Sequence, residues 1–378
     1  MAAVDLRLRG NARHMQQSPA SPPSRLLRAA LAAILLSLSS GAALARSFPI
    51  DPGQNAVGRV ETYVTRAEDT LLDVARNYDL GFTEMMAANR GIDPWLPRAN
   101  KSVTVPAFFL LPNVPHQGIV VNLVRQRIYY FPPDGRSVQT FPVGVGAEGK
   151  TTPTGITRIN AKRAHPTWYP PPSILAEDPD LPKIVPPGPD NPMGDYALYL
   201  AWPTYTIHGT DKPYGVGRNS SHGCLRLYPE DIEQLFKETA IGTSVRVIDQ
   251  DVEGAWLGND LYIAVFPTKA QAEEIALGHD PTPLIPPNLR DYVTQAAGSQ
   301  IGRIDWNFVE KIGFERTGIP MRVTTPAFDS LSTPPSVPAP QLGPGLTGPA
   351  QPTPVSPPAA QPTPDAGQGQ QPEPAPPR

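Results

Sequence analysis

The chain has 378 residues and one cysteine, Cys224. That scarcity excludes an internal disulfide framework and any site built from clustered thiolates. Charge is also sparse: 18% of residues are charged and the formal net charge is −3. Nothing in that balance favours nucleic acid as a partner. The apolar run from Ala29 to Leu38 falls short of the roughly 20 residues that a membrane-spanning helix needs. Proline is the opposite case. The 50 prolines are far above the usual share of about 5%, so part of the chain is not regular structure. The length suggests about two domains.

Arg25 and Arg28 precede the apolar run, and Ala43-Leu44-Ala45 supplies an A-x-A pattern before Arg46. Residues 1–45 therefore read as a cleavable export signal, leaving no stable membrane span afterwards. The stretch before Arg25 is long for such a signal, and a start at Met15 gives one of ordinary length. Export makes the lone thiol informative, because exported thiols usually pair. Cys224 is then a buried inert thiol, an intermolecular partner or a reactive thiol kept free.

Residues 46–59 read as a linker. From 60 to 107 the pattern is β-α-α-β. "VETYVT" alternates; "AEDTLLDVARNYDL" carries a helical stripe at Leu71, Leu72, Val74, Ala75 and Tyr78, with Asp69 or Thr70 as cap; "GFTEMMAANRG" is a second helix; "KSVTVPA" is a strand. So small a unit is marginal alone. Residues 116–250 read as mainly β. "GIVVNLVRQRIYYF" is a hairpin turning at Arg125 and Gln126. "QTFPVGVG", "GITRINAKR", "DYALYLAW", "YTIHGT" and "SVRVID" are strands, and "PEDIEQLFKETAIG" is a helix. The Pro-rich run from Ala164 to Gly194 is too long for an idle connection. Its Trp168 and Tyr169 fit an ordered lip beside a site or simple surface packing. Residues 251–331 form an extension of unread role, with one more strand at "LYIAVFP". Residues 332–378 are Pro-rich and expected to be disordered.

Chemistry concentrates in "IHGTDKPYGVGRNSSHGCLRL", residues 207–227. A thiol attacks as thiolate, and a neighbouring imidazole can take its proton and stabilise the ion pair. His222, two residues from Cys224, and His208, 16 residues upstream, are both candidates; spacing permits either. Gly223 allows close backbone approach, free N–H groups there suit an oxyanion, and the Arg226 fork suits a carboxylate. Cys224 with two histidines is also a possible zinc set, and Ser, Gly and Asn clusters can mean only a tight loop.

"IHGT", the glycine-bearing loop and "SHGCLRL", with "TTPTG" at 151–155 and "NPMG" at 191–194, resemble the signature of L,D-transpeptidases of the YkuD type. "YVTRAEDTLLDVARNYDL", "AANRGID" and "VTVP" resemble a LysM module, although the loop from Pro94 to Lys101 departs from a minimal one. The resemblance implies a β-sandwich-like catalytic domain behind a small LysM module, in the periplasm, with no cofactor and no metal. It implies Cys224 as nucleophile, His208 as general base, the Gly209 carbonyl orienting the imidazole, and the N–H groups of Gly223 and Cys224 as oxyanion hole. His222, Arg226 and Ser221 would meet substrate. Implied partners are peptidoglycan peptide stems and glycan strands, with an outer-membrane lipoprotein as a further acceptor. The reaction implied is attack on a tetrapeptide stem at diaminopimelate, release of D-alanine and transfer to an amine. L,D-carboxypeptidase activity and non-catalytic wall binding are the alternatives.

Overall fold

A computed structural model describes residues 46–147 and 149–326. The expected signal at 1–45 and the tail at 332–378 lie outside the described residues.

The N-terminal part runs β1 (Arg46–Pro49), β2 (Ala56–Gly58), β3 (Glu61–Val64), α1 (Leu71–Asn77), α2 (Phe82–Ala88), β4 (Ser102–Val105) and β5 (Phe108–Leu110). Thr70 starts α1 by accepting the Asp73 N–H, and Leu71, Leu72, Val74 and Ala75 bury one stripe. Asn89 ties the end of α2 to β4: its Nδ2 donates to Met85 O and Thr104 O, and its Oδ1 accepts the Thr104 N–H. β3 and β4 pair antiparallel.

Residues 46–59 are not a linker. β1 pairs with β8 (Ser137–Pro142), and β2 pairs with β5. Phe48 and Val57 are 1% exposed, so the run is anchored in the core. Strands of four and three residues punctuated by Pro and Gly carry too little periodicity to be read from sequence.

The central part adds β6 (Gly118–Asn122), β7 (Arg127–Phe131), β9 (Val145–Gly146), β10 (Gly155–Ala164), α3 (Pro172–Glu177), β11 (Tyr196–Leu200), β12 (Thr206–His208), β13 (Asn219–Ser221), β14 (Leu225–Arg226), α4 (Pro229–Glu238) and β15 (Ser244–Ile248). Nine strands form one mixed sheet in the order β1-β8-β7-β6-β15-β10-β11-β12-β14. Its curl comes from β10. Residues 155–158 pair with β15, the register shifts between Ile159 and Ala161, and the remainder pairs with β11. A bulged strand shared between two half-sheets turns a sandwich corner, which gives the mainly β, sandwich-like fold that the family resemblance implied.

β6 and β7 are buried on both faces. Ile119, Val121, Ile128 and Tyr130 point into the sandwich with β11, β12, β14 and α4. Val120, Tyr129 and Phe131 point outward and join Leu71, Phe82, Met85 and Val105 of the β-α-α-β unit in one core. Arg127, fully buried, crosses this junction. Its fork donates to both Glu84 oxygens, at 2.8 and 2.6 Å, and to Asp79 O.

The C-terminal part is a small α+β unit with its own core: β16 (Val252–Leu257), β17 (Asp260–Val265), α5 (Lys269–Ala276), α6 (Leu289–Ala297), α7 (Trp306–Glu315) and β18 (Met321–Arg322). A buried Arg125–Glu253 ion pair, with Asn122 donating to the same carboxylate, joins it to the turn between β6 and β7. No described helix is long and apolar enough to cross a membrane.

Candidate active site

β12 and β14 are parallel neighbours in the register Ile207↔Leu225 and His208↔Arg226. Extending that register one step sets Cys224 level with Thr206. Side chains in register share a face, as do i and i+2 on a strand. His208, Cys224 and Arg226 therefore project on one side of the sheet. The 16-residue separation in sequence is closed by the turn-rich loop, including the 3₁₀ turn Pro213–Gly215.

His208 is 5% exposed. Its Nδ1 lies 2.7 Å from Gly209 O, so Nδ1–H donates there and Nε2 is left as the basic nitrogen. Burial, and then the Arg226 charge, push its pKa down from 6.5 to about 4, against the carbonyls of Gly209 and Met193. The imidazole is neutral at neutral pH. Burial pushes the Cys224 thiol up, while the Thr206 N–H and the Arg226 charge pull it down. The two directions make the resting pair thiol and neutral imidazole. They do not make the pre-formed ion pair that the residue types suggested. In this state the thiol donates to Thr204 O at 3.7 Å; Thr204 sits at φ 72°, a strained conformation for a β-branched residue. Arg226 is mostly buried, its own pKa lowered by that burial, and its Nε has no hydrogen-bond partner among the described residues.

Gly223 has φ 102°, which ends the extended run on its N-terminal side. His222 therefore does not share a face with Cys224 as strand spacing suggested. It turns instead to Lys150 Nζ, at 2.7 Å, and Glu177 Oε2, at 2.9 Å. A Cβ at Gly223 would lie 3.0 Å from the Tyr205 ring and 3.4 Å from Lys150 O. Thr152 Oγ1 donates to Gly223 O at 2.8 Å, which explains the place of "TTPTG" beside the thiol.

Two expectations need correction. Ser221, expected to meet substrate, is 1% exposed. Its hydroxyl donates to Cys224 O at 2.5 Å and accepts the Gly223 N–H at 3.1 Å, stapling the turn internally. The Gly223 N–H expected in an oxyanion hole is thus already engaged. Asn191 of "NPMG" is buried and donates to the Pro166, Val185 and Pro186 carbonyls, folding the Pro-rich segment into an ordered lip. The lip reaches the site through Glu177, beside His222, and through the Met193 carbonyl, which bonds His208. Sequence reasoning missed Lys150 and Glu177; they lie 72 and 45 positions from His222 in the chain, and no spacing rule links them. Among the described residues, no group of three His, Cys, Asp or Glu side chains is arranged to hold a metal ion.

Residues 116–247 match the family model for the L,D-transpeptidase catalytic domain, YkuD. The chain is 39% identical over 231 residues to the probable L,D-transpeptidase ErfK/SrfK of Escherichia coli, covering 59% of this chain and 74% of that protein. It is 34% identical over 307 residues to the probable L,D-transpeptidase YbiS of the same species, covering 79% and 98%. Among solved structures, the catalytic domain of an Enterococcus faecium L,D-transpeptidase matches 36% of this chain and 100% of that one, at 23% identity and a TM-score of 0.28.

Proposed function

The chain belongs to the L,D-transpeptidase family, and we propose that Cys224 is its nucleophile and His208 its general base, acting on peptidoglycan stems. The observation that carries this reading is the parallel β12–β14 register, which sets His208, Cys224 and Arg226 on one face with the His208 tautomer fixed by Gly209. As the sulfur attacks the carbonyl at the L-centre of diaminopimelate, Nε2 takes the thiol proton. Arg226 disfavours imidazolium and favours thiolate, so it opposes resting charge on the base and supports charge on sulfur. The tetrahedral oxyanion is met by the Cys224 N–H, and by the Gly223 N–H once it leaves Ser221. The C–N bond to D-alanine breaks, His208 returns the proton to the leaving amine, and a thioester remains. A primary amine from a second stem or a lipoprotein resolves it, giving a cross-link or an attachment; resolution by water gives carboxypeptidase activity. Glycan strands are held by the β-α-α-β unit, where exposed Trp95 packs edge-on against Tyr214 of the active-site loop; exposed aromatic faces suit sugar rings. The setting is the periplasm, reached by the N-terminal signal. Incubation with a tetrapeptide stem tests the chemistry. Cys224→Ala should release no D-alanine, and a variant that still releases it removes the assignment.

A further inference from the structure

Three side chains from distant parts of the chain meet at the turn that carries Cys224. Glu177 ends α3 in the Pro-rich lip. Its Oε2 accepts from Lys150 Nζ at 2.7 Å and lies 2.9 Å from His222 Nε2, which is itself 2.7 Å from Lys150 Nζ. One Nε2 can accept from Lys150 or donate to Glu177 at any moment, and in either state the carboxylate is held by a cation. His222 and then Lys150 keep the Glu177 carboxyl below its ordinary range. Lys150 and His222 are fixed to the turn that carries the thiol: Thr152 holds the Gly223 carbonyl, and the Lys150 carbonyl stands against Gly223. Glu177 arrives from a segment anchored elsewhere, by Asn191.

An ammonium and an imidazole converging on one carboxylate oxygen make a carboxylate site, here filled by a carboxylate of the chain itself. The contact is open to water: the side chains of Glu177, Lys150 and His222 are 50%, 35% and 32% exposed. Exposed ion pairs are weak, so a ligand carboxylate can displace Glu177. Arg226 does not serve as this accessible cation, because it is mostly buried and faces Cys224 and His208.

We propose that Lys150 and His222 form a subsite for a carboxylate of the donor stem, and that Glu177 occupies this subsite until the stem arrives. The inference rests on Cys224 as the point of attack. The recognised group is either the terminal D-alanine carboxylate or a diaminopimelate carboxylate; the chemistry is the same, and donors amidated at each position separate them.

The test is the dissociation constant of a tetrapeptide donor, measured by calorimetry in the full chain carrying Cys224→Ala. Lys150→Met should weaken donor binding about fivefold and Lys150→Arg should recover most of it, whereas Glu177→Gln should tighten it about twofold to fivefold. The opposite signs are the signature of competition, since a merely structural ion pair predicts that losing either partner acts in the same direction. Amidating the recognised carboxylate should weaken binding to the unaltered subsite and abolish the effect of Lys150→Met. Shifts of one sign in both variants, or a Lys150→Met loss that persists with every amidated donor, would overturn the subsite. D-alanine release in the Cys224→Ala background would instead overturn the nucleophile assignment, so the two failures read differently.

Discussion

The proposed base, His208, is tied to stability through one proton. Its pKa is about 4 in the folded chain against 6.5 for the free side chain. Between those values the unfolded chain binds the proton and the folded chain does not. Stability from the buried neutral imidazole is therefore full above about pH 6.5 and lost as pH falls to about 4. The loss is roughly 3 kcal/mol. Asp231 runs the other way, its carboxyl raised by burial and by Asp79, so a single melting curve mixes the two. The difference between wild type and His208→Gln isolates the histidine. Denaturant melts at pH 7 and pH 4 should show wild type losing about 3 kcal/mol more than the variant; equal losses would mean that the imidazole is not held neutral. At this scale the sequence was informative where the family signature is contiguous, and silent elsewhere. Cys224, His208, Gly209 and Arg226 stand in two short motifs. Ser221 was misread because its type suits both substrate contact and turn stapling, and only its burial decides between them. Lys150 reaches His222 from the connection between β9 and β10 and Glu177 reaches it from the Pro-rich lip, and no local pattern links either to the signature.

The element that sets the site is the loop from β12 to β14, held from three sides. The Phe82 and Thr83 N–H groups, at the start of α2, donate to Val216 O and Gly217 O at 3.2 and 3.0 Å, and the Thr83 hydroxyl adds a 2.7 Å bond to Gly217 O. Next along the loop, the Val145 N–H of β9 donates to Arg218 O, and Asn219 Nδ2 donates to Lys269 O at the start of α5. Gly217 is required at this clamp. Its φ is 76°, and a Cβ would fall 2.4 Å from Gly81 Cα and from Phe82 N. Gly217→Ala should cost about 1–3 kcal/mol in thermal unfolding and change the alkylation rate of the sole thiol. Melting and alkylation indistinguishable from wild type would show that the loop is not clamped here. α1, α2, α4 and the longer strands were legible from their periodicity, whereas α3, inside the Pro-rich run, and α6 and α7, in the C-terminal extension, were not read. β1 and β2 were not, because three or four residues beside Pro and Gly look like any connection.

Across the whole molecule, the feature least visible in sequence is the shared core. β6 and β7 were read only as a hairpin, yet "GIVVN" and "RIYYF" are nearly continuous apolar runs, the pattern of strands covered on both sides. The β-α-α-β unit supplies the outer cover, which resolves how so small a unit is stable: its core is half the catalytic sheet. Arg127, locked to Glu84 and Asp79 O, fixes that junction, and α2 extends the same contact to the loop between His208 and Cys224. The site is thus a product of the whole described fold, while the proposed chemistry rests on two residues. The most direct test is intact-protein mass spectrometry of the chain after exposure to a carbapenem-type β-lactam, which a nucleophilic thiol opens to a stable adduct. One adduct on Cys224 is expected, absent in Cys224→Ala and formed about 10²–10⁴-fold more slowly in His208→Ala. A folded, reduced protein that forms no adduct, or that forms it at an unchanged rate without His208, would contradict it.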